Sequence, residues 1–361
     1  MSQFKTVKFD NNKSEFAKVL RKRVNSYFKE KNISKNSNFN MISKTIFMMS
    51  LYFIPFAFTV SSSVEMYWLY LTLWAIMGLG MAGIGMSVMH DANHGSYFKS
   101  KKYNDIVGQV ITLIGGSALN WKLQHNVLHH TYTNIPGMDE DLESDPLMRF
   151  SPDQEVKKLH KYQHFYAWFL YGLMTISWSI DKDFSQLIRY NKKGLLKMQN
   201  VDFKKAMFKL IIAKIFYYAY ALVVPMIFAP NWWLALIGYF TMHFVAGFVL
   251  AIVFQCAHVI ENTEYPKPKE TGDMDTDFYV HQLSTTANFG SGSNFFSWYV
   301  GGLNFQVEHH LFPNICHIHY KKISPIVKKT ALEYGYPYHS FKTFFAALSC
   351  HTRHLKELGR A

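Results

Sequence analysis

The sequence predicts an all-α integral membrane protein, with four transmembrane helices in two hairpins and a polar, histidine-bearing remainder on one side. Three observations carry that prediction. Hydrophobic residues make up 49% of the 361, and they gather in long runs instead of amphipathic stripes, which is how helices facing lipid read. The runs come in pairs separated by very short polar breaks. Histidines recur at helical ligand spacing at or beyond the ends of the runs.

Residues 1–43 form a cytosolic segment rich in Lys and Arg. Within it, Phe16 to Phe28 can form an amphipathic helix, either solvated or lying along a membrane surface. The opening M-S-Q-F-K-T-V-K-F-D has no apolar core, so it is not expected to be a signal peptide. The membrane domain covers 44–361. Its first run, about 44–60, contains Pro55, which a membrane helix tolerates. After the break at 61–65 a second run, about 66–89, leads into His90, and Gly95 is placed to stop that helix. The stretch 105–121 is apolar but short and broken by glycines, so it is expected to be re-entrant or to lie along the interface. The acidic loop 139–146 is either solvated or positions groups near the histidines. Residues 160–180 are aromatic and suit the headgroup region. The third and fourth runs, about 206–229 and 232–256, are parted only by Ala229, Pro230 and Asn231, which makes the second hairpin.

Charge orients this arrangement. Neither hairpin turn carries Lys or Arg, whereas the termini and the central loop are rich in both. The positive-inside rule therefore places 90–205 and 257–361 in the cytosol. A net charge of +13 suits anionic lipid, a phosphate-bearing substrate or an acidic redox protein; nucleic acid is not an expected partner. Cys256, Cys316 and Cys350 have unrelated spacings and suggest neither a disulfide framework nor a thiolate metal site.

The histidines define the candidate site. His90 and His94 are four apart, as are His125 and His129, so on α-helices each pair can point at one object. His130, His309 and His310 can close round it, and His258 sits just past the fourth run. Neutral imidazole is the commonest side-chain metal ligand, and this many exceed what one zinc uses. A binuclear multi-histidine centre is expected. The donor set suits zinc, copper, iron or nickel, and H-E-x-x-H, the zinc-protease arrangement, is absent. His243 lies roughly 22 Å of helix rise from His258, so it is expected to hydrogen-bond between helices and not to join the centre.

H90-D-A-N-H94, H125-N-V-L-H129-H130 and Q306-V-E-H309-H310, in that order between and beyond two hairpins, closely resemble the three boxes of the membrane fatty acid desaturases. The resemblance covers roughly 45–325. It implies four transmembrane helices under a cytosolic helical cap and two iron ions held by histidines of all three boxes, with dioxygen as co-substrate. It also implies one further ligand beyond the fourth helix, where His258 stands. G-G-L-N-F-Q306-V-E-H-H-L-F-P resembles the front-end members, which insert a double bond between an existing one and the carboxyl end. Gln306, as an amide, is a poor iron ligand and is expected to hold a bound water or another ligand. Gln255, His281 and Asn288 either work near the site or are ordinary polar residues. Many front-end members carry a fused cytochrome b5 domain; the first His here is His90, so the expected electron donor is a separate ferredoxin or cytochrome b5. The implied substrate is a fatty acyl-CoA or acyl-lipid, with linoleoyl delta-6 desaturation favoured over delta-5 and its chain held in a tunnel lined by aromatics and Trp121. A hydroxylase on the same scaffold is the nearest alternative. A metal transporter is disfavoured because its site would lie at mid-membrane.

Overall fold

A computed structural model describes residues 6–10, 14–61, 64–143 and 146–360. Four of its helices are long and apolar enough to cross a bilayer: Phe39–Val60, Tyr67–Asn93, Phe203–Phe228 and Trp232–His258. All four match expected runs, with ends that differ. The first begins at Phe39, ahead of the expected 44, because the Asn38 side chain accepts from Met41 N and caps the helix there. The second continues through Asn93, which makes His90 part of the membrane helix. The fourth runs on to His258, which is its last residue and not a residue beyond it.

The second helix packs between the first and fourth, and glycines set the closeness of fit. A Cβ on Gly78 would meet Met242 O of the fourth helix at 2.6 Å, and one on Gly80 would meet Tyr52 N of the first at 2.7 Å. Small residues let backbones approach where lipid gives apolar side chains little incentive to associate. The third helix is tied in by a buried charge: Lys214 Nζ lies 2.6 Å from Asp183 Oδ2, from Gly115 O and from Trp178 O.

The stretch 105–121 does not span. Lys101–Gly108 passes into a tight 3-10 turn, Gln109–Ile114, which stops at Gly115 with φ +83°. The aromatic 160–180 region forms Gln163–Gly172 and Met174–Ser177, packed along the fourth helix with Phe165 and Phe169 outward. The acidic loop is described for Asp139–Glu143 and Pro146; Ser144 and Asp145 lie outside the described residues, as do Met1–Lys5, Ser62 and Ser63.

The remaining helices form a cap over one end of the bundle. Glu15–Glu30 does form the amphipathic helix expected of Phe16 to Phe28, but its apolar face neither meets solvent nor is left for a membrane. Phe16, Leu20, Val24 and Phe28 are buried against Ile323, Val327 and Ala331 of helix Tyr320–Glu333. Among the described residues, the departures from an all-α fold are a parallel pair of three-residue strands, Ala287–Phe289 with His339–Phe341, and one isolated bridge between Lys8 and Asp273.

Candidate metal centre

The first two histidine boxes are delivered by local distortions of regular helix. One turn before His90 the second membrane helix widens into a π-turn, Ile84–Val88, where Met89 N–H bonds Ile84 O. The second box lies in a π-helical stretch, Lys122–His129, closed by His130 N–H to His125 O. A π-turn pairs residues five apart, and such turns are frequent at functional sites. The pairing of His125 with His129 expected from α-periodicity is kept, their rings stacked at 5.3 Å, and a further neighbour is added. His125 stands with His130, their Nε2 atoms 3.2 Å apart, while His129 turns toward His258 and His310. The third box sits on Gln306–Leu311. Before it, Gly301 (φ +63°) lies so close to Met86 O in the π-turn that a Cβ could not fit. That close approach places the third box against the first.

All eight expected ligands converge. Ring nitrogens of His90, His94, His125 and His309 lie within 4.8 Å of one another, as do those of His129, His258 and His310. His130 stands between the sets, with Nε2 2.9 Å from His309 Nε2 and its ring stacked on His310 at 4.3 Å. His125 Nε2 is also 3.2 Å from His90 Nε2. Donor atoms sharing one ion by bonds of about 2.1 Å stand roughly 3 Å apart.

The residues fit a metal centre on a second ground. His94 Nε2, His258 Nε2 and His310 Nε2 are buried without a hydrogen-bond partner, a costly state unless a cation takes the lone pairs. In His310 and His258 the opposite ring nitrogen is anchored. His310 Nδ1 donates to Gln282 Oε1 at 2.8 Å and His258 Nδ1 to Thr285 O at 3.2 Å. Both oxygens only accept, so each ring keeps its proton on Nδ1 and its Nε2 lone pair free. Burial and the neighbouring imidazoles hold His94, His125, His130, His309 and His310 well below the ordinary value, hence neutral. His129 differs: burial opposes its charge, but Asp139 and Asp141 carry it up to about 9, with Asp139 Oδ2 3.0 Å from Nδ1. Asp139 of the acidic loop is thus a positioning group.

The other candidates fall around the imidazoles, outside these ligand groups. His281 Nε2 donates to Thr133 O at 2.9 Å, bracing the chain that leaves the second box, and burial holds it down to about 4. Asn288 donates to Glu308 Oε2 at 2.7 Å and to Tyr338 Oη at 2.8 Å, and it accepts from Val307 N. It clamps the third-box helix from behind. Gln306 is buried on that helix with its Nε2 unpartnered. His243 behaves as expected, bonded to Tyr217 Oη at 2.7 Å and Thr175 Oγ1 at 3.1 Å. Sequence reasoning missed Gln282, whose amide also donates to His130 O; a glutamine inside an ordinary helix gives no periodic signal. It also missed Asp91, Cys316 and His317, which form a group of metal-ligand type. There the cation is already supplied: Lys44 Nζ lies 2.7 Å from His317 Nε2, and His317 Nδ1 is 2.8 Å from Asp91 Oδ2.

Beside the histidines lies a cavity of about 460 Å³. His125, His129, His258 and Gln255 form one wall; Trp121, Phe254, Leu170 and Met174 make it apolar, and Gln124, Asp141 and Lys182 supply polar groups. The Trp121 ring packs 4.4 Å from His125 and 5.4 Å from His90.

The family model for fatty acid desaturases matches residues 66–342. The chain belongs to the fatty acid desaturase family. It is 36% identical over 345 residues to an sn-1 linoleoyl-lipid 6-desaturase of Arthrospira platensis, covering 95% of this chain and 92% of that one. It is 34% identical over 352 residues to the sn-1 linoleoyl-lipid 6-desaturase of Synechocystis sp., covering 97% of both. An acyl-lipid (8-3)-desaturase of Physcomitrium patens is 36% identical over 358 residues, 97% of this chain and 73% of the relative. The protein is therefore an integral membrane oxidoreductase that desaturates fatty acyl chains, and its buried histidine cluster is compatible with a metal centre.

Proposed function

We propose that this desaturase inserts a cis double bond between an existing double bond and the carboxyl end of a lipid-borne acyl chain, with delta-6 desaturation of linoleoyl groups as its main reaction. The observation that carries this reading is the apolar cavity walled by His125, His129 and His258. The names of the Arthrospira and Synechocystis relatives support the position and the lipid carrier, as does Gln306 at the head of the third box. The ligands are His90, His94, His125, His129, His130, His258, His309 and His310, and they hold two iron ions. Iron, when bound, supplies the activation of dioxygen that removes hydrogen from unactivated carbon.

The reaction balances as CH2–CH2 + O2 + 2 e⁻ + 2 H⁺ → CH=CH + 2 H2O. The chain's own residues do the positioning. Trp121 and Phe254 exclude water and hold two adjacent methylenes beside His125, since a saturated segment has no polar handle. A cis bond already present bends the chain and fixes its register in the cavity. Gln306 keeps its unpartnered amide for a ligand or bound water near His309 and His310. The electrons come from a separate ferredoxin or cytochrome b5, and the metal centre faces the cytoplasm.

Gas chromatography of cells expressing the protein and fed linoleate or stearate tests this reading. A new delta-6 bond in linoleate is expected. A bond appearing mainly in stearate overturns the front-end assignment, and a delta-5 bond would move the register by one carbon.

A further inference from the structure

Helix Glu15–Glu30 spends its apolar face inside the cap, so the face it leaves outside is free for another task. That face carries Lys18, Lys22 and Lys29, all exposed. Helix Tyr320–Glu333 lies beside it and exposes Lys321, Lys322, Lys328 and Lys329. Between the two runs an open groove with Val19, Tyr27, Pro325 and Ile326 along it. Lys22, Arg23 and Lys329 edge the groove beside Glu30, and Glu333 at its border pairs with Arg23 and lies 3.9 Å from Lys329 Nζ. Arg23 is held in place by Glu333 and by Thr330 Oγ1 at 3.0 Å. Apolar contact inside a charged rim is the anatomy of a transient protein interface.

The groove is also wired to the metal centre. The helix that forms one of its walls begins with Tyr320, whose hydroxyl lies 3.2 Å from His309 Nδ1. Pro325 is five residues further along the same helix, a rise of roughly 8 Å.

We infer that the groove between helices Glu15–Glu30 and Tyr320–Glu333 is the docking surface for the electron donor, a redox protein with an acidic face. This rests on the external donor proposed above. A one-electron carrier docks twice per turnover, so two successive encounters supply the two electrons that, with two protons, complete the reduction of dioxygen to water. The basic rim steers the acidic partner and fixes its orientation, a contribution made mainly to the encounter rate and weakened by salt.

The test uses full-length enzyme and reduced ferredoxin or cytochrome b5, whichever supports wild-type turnover. In the charge-reversed variant Lys22→Glu with Lys329→Glu, KM for the donor should rise on the order of tenfold and its salt dependence should flatten. The kcat at saturating donor and the iron content should stay at the wild-type level, and Lys22→Arg with Lys329→Arg should behave as wild type. An unchanged donor KM overturns the assignment, as does a variant that loses only binding to anionic phospholipid vesicles, which would make the groove a lipid surface. Wild-type turnover with no donor protein present would instead refute the external donor itself, whatever the variants do.

Discussion

At the scale of single residues, the centre depends as much on what holds the imidazoles as on the imidazoles. Gln282 Oε1 accepts from His310 Nδ1 and from Thr133 Oγ1, so Gln282→Leu frees the ring to rotate or change tautomer. Removing such a partner costs about 10–100-fold in metal affinity; iron retained by the variant under graded chelator should fall by that amount while its far-UV circular dichroism is unchanged. Asn288→Ala should act differently. It strips Glu308, a carboxyl that burial pushes up to about 7, of a donor, and leaves Val307 N without an acceptor. The expected loss is about 1–3 kcal/mol of stability, read as a lower unfolding midpoint in detergent, with the metal held once the protein is folded. His243→Phe should leave iron content at the wild-type value, because its partners are Tyr217 and Thr175 and no ligand.

At the scale of elements, the sequence made the eight clustered histidines legible but not the way two helices present them. Spacing of four found His90 with His94. The same rule paired His125 with His129, whose rings do stack at 5.3 Å, but it gave no sign that the π-helical stretch Lys122–His129 also brings His125 Nε2 within 3.2 Å of His130 Nε2. No local propensity in K-L-Q-H-N-V-L-H announces that winding. Helix ends were misjudged for a related reason. The apolar run ends at about 256, which sets His258 just past its exit, yet the helix continues through His258. The anchor of the third helix, Lys214 with Asp183, was invisible because its partners are 31 residues apart and both are 6% exposed. Breaking such a pair leaves one buried charge uncompensated. Lys214→Met should therefore destabilise by about 3–5 kcal/mol, and Lys214→Met with Asp183→Leu should recover most of it. Thermal unfolding of the two variants in detergent measures the difference.

At the scale of the whole molecule, four long helices and a cap bring ligands from the second and fourth helices, the central region and the segment after the fourth helix to one end of the bundle. The orientation proposed from the positive-inside rule puts that end in the cytoplasm. A cysteine introduced at Lys267, whose side chain is 66% exposed, should react with an impermeant maleimide only when the cytoplasmic face is open. One at Asn231, in the opposite turn, should react only from outside. The account as a whole stands on the claim that eight imidazoles form one binuclear iron centre. Elemental analysis of purified, active protein tests it most directly. The account predicts two iron ions per chain, with occupancy lost together when His309 or His310 is replaced; stoichiometric zinc without iron, or a single ion in fully active enzyme, would contradict it.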